Sequence, residues 1–72
     1  MVETKREAFL RLAQKRTENV LNRIRILSNC ANPYAYDYTD EDVRKIFEAI
    51  ESEIDVAKSR FERYRRREFS LS

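Results

Sequence analysis

Seventy-two residues make one small domain at most, and chains below roughly 70–80 residues usually need a disulfide, a metal or a second copy to be stable. A single cysteine and no histidine exclude an internal disulfide, a zinc site built on several Cys or His ligands, and nucleophilic catalysis that relies on a histidine base. Glycine is absent, which removes glycine-rich phosphate loops, and the net charge of +2 is too small to mark a strong polyanion binder.

The N-terminal stretch Met1–Phe9 is charged, without the apolar segment of a secretory leader, and no apolar run approaches the ~20 residues of a membrane span. One unpaired cysteine suits a reducing compartment, so the expected location is the cytoplasm, with no membrane partner.

A first helix is predicted from about Thr4 to Ser28. Leu10, Ala13, Thr17, Val20, Ile24 and Leu27 recur at alternating steps of three and four, the a/d spacing of a coiled-coil seam. Asn29, able to take a left-handed conformation, is expected to end it.

The connection over 29–39 carries the turn signal Asn32-Pro33 and three tyrosines at alternate positions, Tyr34, Tyr36 and Tyr38. It exceeds the roughly 2–8 residues usual between bundle helices. The rings are expected to fold back over the end of a bundle, with exposed recognition by the three tyrosines as the alternative. Cys30 lies just past a helix C-terminus, where the dipole disfavours a thiolate, and reads as an ordinary thiol.

A second helix is predicted from about Asp40 to Arg67, leaving 68–72 as a frayed tail. Thr39 with Asp42 three residues on has the form of a capping box, and Asp40, Glu41 and Asp42 suit the positive end of the helix dipole. Val43, Phe47, Ile50, Ile54, Ala57, Phe61 and Tyr64 again step by three and four. Pairs such as Glu41–Lys45 and Glu62–Arg66 are spaced for weak support along the helix.

The expected fold is all-α, a two-helix antiparallel hairpin over one domain, residues 1–72. In that arrangement Leu27 faces Val43, Ile24 Phe47, Val20 Ile50, Thr17 Ile54, Ala13 Ala57 and Leu10 Phe61. The register holds along the whole seam without a slip.

Apolar residues remain beside that seam. Phe9, Leu12 and Ile26 on the first helix, with Ile46, Ala49 and Val56 on the second, form a further face that also carries Arg16, Arg23, Glu53 and Arg60. Arg16 lies nearly opposite Glu53. A surplus apolar face predicts a partner, first of all a second copy closing a four-helix bundle, and otherwise a different protein that the chain would inhibit or adapt.

Charge is segregated along the chain. Residues 1–16 and 57–72 carry 11 basic and 4 acidic side chains, while 17–56 carry 4 basic and 9 acidic. The candidate nucleic-acid contacts at the basic end are Lys5, Arg6, Arg11, Lys15, Lys58, Arg63, Arg65, Arg66 and Arg67. Glu48, Glu51 and Asp55 share a helical face but read as solvated acid, not as a cation site. No catalytic residue, metal, cofactor or small-molecule substrate is expected, and the predicted role is a non-enzymatic protein-interaction module, with a small nucleic-acid-binding regulator acting through the basic end as the alternative.

Three stretches carry a resemblance, namely Arg11–Arg16 (RLAQKR), Val20–Leu27 (VLNRIRIL) and Tyr36–Ile50 (YDYTDEDVRKIFEAI). Together they resemble a group of small bacterial proteins often encoded on or near mobile elements, the last stretch being the most specific. That resemblance implies a helical hairpin and implies no particular activity. In layout alone the chain also resembles the Rop-type hairpin dimers that bind paired RNA loops, although its connection is longer and no RNA-contacting motif carries over.

Overall fold

The computed structural model describes the backbone of residues 2–70 and the side chains of residues 2–65. The fold class is all-α: helix α1 spans Lys5–Ser28, a single 3-10 turn follows at Asn29–Ala31, and helix α2 spans Asp40–Ser70. No strand occurs among the described residues. None of their helices is long and apolar enough to cross a membrane.

The chain falls into two units, Met1–Asp37 and Tyr38–Ser72. In the first, the helix starts with a reciprocal cap that the reading of the sequence overlooked. The Glu7 amide donates to Thr4 Oγ1 at 3.1 Å, and the Thr4 amide donates to Glu7 Oε1 at 3.2 Å. Two of the amides left without partners at any helix start are thereby satisfied.

The end of α1 differs from expectation. Asn29 lies at φ −66°, ψ −19°, in the right-handed region, and no described residue has positive φ. The chain tightens instead into the 3-10 turn, with the Asn29 amide donating to the Ile26 and Leu27 carbonyls. Such tightening satisfies terminal carbonyls without a left-handed residue, so no glycine is required. The Asn32-Pro33 turn forms as predicted. The Asn32 side chain accepts from the Tyr34 amide at 3.0 Å, and its carbonyl accepts from the Ala35 and Tyr36 amides.

In the second unit the predicted capping box closes. The Asp42 amide donates to Thr39 Oγ1 at 3.1 Å, and the Thr39 amide to Asp42 Oδ2 at 3.0 Å. With three acids in its first turn, the helix starts where its dipole favours negative charge. It then continues to Ser70, three residues beyond the predicted end. The stretch expected to fray from 68 is therefore helical through 70, and residues 71–72 lie outside the described ones.

Candidate interaction surfaces

Both helices are regular over the whole stretch that bears the predicted faces, so position on each follows from helical geometry. At ~100° per residue, Phe9, Leu12, Arg16, Arg23 and Ile26 fall within an arc of about 100° on α1. The predicted seam residues Leu10, Ala13, Thr17, Val20, Ile24 and Leu27 occupy an adjoining arc of about 100°. On α2, Ile46, Ala49, Glu53, Val56 and Arg60 share an arc of about 80°, again beside a seam arc of about 100°. On each helix the two arcs together cover about half the circumference, with Arg16, Arg23, Glu53 and Arg60 among the apolar residues. A strict two-stranded seam is narrower than this, whereas a stripe of about 100° or more is usual for a helix that faces a core.

No described residue is buried in the single chain. Leu12, Ala13, Leu27, Val43 and Ile50 are half-buried, as is Ala8. The rest of both arcs is exposed, including Phe9 at 48%, Phe47 at 47% and Phe61 at 62%. Arg16, Arg23, Glu53 and Arg60 are exposed among them, where arginine methylenes can lie over neighbouring apolar atoms while the charge stays wet. Near the end of α2, Ala57, Arg60, Phe61 and Tyr64 line an open depression, as spacings of three and four on one helix face require.

The remaining faces are held by local polar contacts. Arg44 bridges Glu41 and Glu48, so Glu41 pairs with Arg44 and not with the predicted Lys45. The arginine fork reaches one carboxylate a turn before it and one a turn after, which a lysine's single ammonium cannot do. Glu48, one of the three acids on the face with Glu51 and Asp55, is thus already engaged. No group of three metal-capable side chains occurs among the described residues. Arg66, and with it the Glu62–Arg66 pair, lies outside the described side chains.

The predicted nucleic-acid contacts do not share a face. Around α1, Lys5, Arg6, Arg11 and Lys15 point in directions spread over more than about 180°, and on α2 Arg63 and Arg65 lie about 160° apart. Arg11 is also engaged. Its Nε and Nη2 donate to the two oxygens of Glu3, both at 2.9 Å, and the guanidinium holds the Glu3 carboxyl below its ordinary range. Arg6 sits over the Phe9 ring, 5.9 Å from its centre. Arg66 and Arg67 lie outside the described side chains. Among the described side chains, Lys58 and Arg65 share a direction on α2, while the other candidates are spread around their helices.

In the connection, Tyr34 is 98% exposed. Tyr36 and Tyr38 are less open, at 54% and 39%. Cys30 is a free, exposed thiol in the 3-10 turn.

No protein-family model, curated protein or solved structure matches the chain. Its surfaces are therefore the basis for a functional reading.

Proposed function

We propose that this protein is a non-enzymatic interaction module that works as a homodimer, two helical hairpins closing into a four-helix bundle. The observation that supports the reading is the width of the apolar arcs on both helices, each of which is regular over the stretch that bears them. Ordering a helix costs backbone entropy of roughly 1–2 kcal/mol per residue, and burial is the main term that offsets it. One two-helix seam buries only one side of each helix, so the second face draws that term from association.

The seam pairing read from the sequence supplies one layer, Leu27–Val43 through Leu10–Phe61. The second layer is the face of Phe9, Leu12, Ile26, Ile46, Ala49 and Val56 against the same face of the second copy, with Arg16, Arg23, Glu53 and Arg60 bordering it. Fully burying each large side chain there contributes roughly 1.5–3 kcal/mol. An isologous two-fold contact needs one self-complementary patch and no further partner. The resemblance to small bacterial hairpin proteins agrees with this shape but adds no activity.

The alternative of a different protein seated on the same face, with the chain as its inhibitor or adaptor, predicts a monomer that co-purifies with a stoichiometric partner. Binding of nucleic acid through the basic end is less favoured, because its arginines and lysines surround the helices and Arg11 is already paired with Glu3.

The test is replacement of Leu12 and Ile26 by glutamate. Sedimentation at micromolar concentration should show a dimer for the natural chain, and the double variant should lose both association and most of its helix content. A double variant that keeps the natural chain's mass and folding would remove this reading.

A further inference from the structure

The proposed dimer leaves one choice open: the connections of the two copies lie at the same end of the bundle or at opposite ends. Helix α2 decides between them by its own charge. Over residues 40–56 it carries seven acidic and two basic side chains, and over 57–70 it carries six basic and two acidic. Among the described side chains, Arg44 neutralises part of the acidic half through Glu41 and Glu48. Lys58, Arg60, Arg63 and Arg65, the basic side chains described in the second half, enter none of these ion pairs. A single continuous helix thus has an acidic first half and a basic second half.

Neighbouring helices in a bundle lie about 8–10 Å apart, close to the Debye length of about 8 Å at physiological ionic strength. Charges on adjacent copies therefore feel one another. Copies with their connections at the same end bring the basic segments 1–16 and 57–72 of both chains together, and the acidic segments 17–56 likewise. Antiparallel copies place Asp40, Glu41 and Asp42 of each chain toward the Arg63–Arg67 end of the other.

We infer that the partner on the apolar face is a second copy held end for end, its connection beside the basic end of the first. This rests on the homodimer reading above and deepens it. Opposed charge selects the orientation, while the apolar arcs supply the affinity.

Cys30 makes the inference testable in the natural chain, because it is free, exposed and located at the connection. A nitroxide label on Cys30 gives one spin per copy. End for end, the spins lie at opposite ends of the bundle, separated by about the length of α1, ~36 Å at 1.5 Å per residue. With connections at the same end they lie within about 20 Å, the width of two helices.

Dipolar electron paramagnetic resonance on a sample that sediments as a dimer should give a distance near the longer value, and the shorter value would overturn the orientation while leaving the dimer intact. A sample that sediments as a monomer overturns the homodimer reading and this inference together. A second readout is the sign of the salt effect. Raising salt from about 0.05 M to about 0.5 M should weaken end-for-end association several-fold, whereas like-charge neighbours would associate more tightly as their repulsion is screened.

Discussion

At the scale of single residues, the two reciprocal caps carry the local order. Thr39 and Asp42 exchange hydrogen bonds at the start of α2, so Thr39→Ala should cost about 1 kcal/mol, the usual effect of losing an N-cap oxygen. Chemical denaturation followed by circular dichroism measures it. At α1, the Thr4 hydroxyl and amide both bond to Glu7 and hold its carboxyl below the ordinary value of 4.5. A carboxyl depressed in the folded state stabilises above its unfolded value and loses that contribution as pH falls through the folded one. Helix content in α1 should accordingly drop on acidification below about 4.5. Glu7→Ala should remove this part of the acid response, and an unchanged response would deny the cap its role.

Asn29 offers a sharper contrast. Its right-handed backbone gives glycine no advantage, so Asn29→Gly should destabilise by roughly 0.5–1 kcal/mol through lost backbone restriction. A left-handed cap would predict a gain instead. The expectation of such a cap came from residue type, and it failed because a 3-10 turn can use the same amides and carbonyls. Two further contacts were hard to read in advance. Glu3 reaches Arg11 across the cap at a separation of eight residues, outside helical pair spacing. The Thr4–Glu7 box, by contrast, was legible as Thr-Lys-Arg-Glu and was overlooked.

At the scale of elements, the helices were legible because their signals are local and repeated. The steps of three and four placed α1 to within a residue at each end, and the run Thr39–Asp42 marked the start of α2. Its far end was less legible. The charged segment after Tyr64 contains neither glycine nor proline to stop a helix, and the helix continues to Ser70. The candidate faces were equally legible, since a regular helix converts spacing directly into direction. What covers them was not legible, because one chain's spacing specifies a stripe and not its occupant.

The width of the stripes yields a prediction at this scale. Val20→Asp, on the seam, and Leu12→Asp, on the second face, should both lower helix content in the intact protein, as each places a charge where a neighbour packs. Leu21→Asp, on the charged side of α1 although 46% exposed like its apolar neighbours, should change it little. Equal effects at Leu12 and Leu21 would show that α1 has only one working face.

At the scale of the whole molecule, charge and apolar surface act on different properties. In the proposed dimer the arcs on α1 and α2 supply the affinity, while the acidic and basic halves of α2 set how the second copy is turned. If folding and association are one process, thermal stability must depend on protein concentration. The most direct test of the central claim is sedimentation equilibrium of the natural chain at micromolar concentration, combined with circular dichroism on the same sample. A helical dimer is the predicted result, and a monomer that keeps its full helix content on dilution would contradict it.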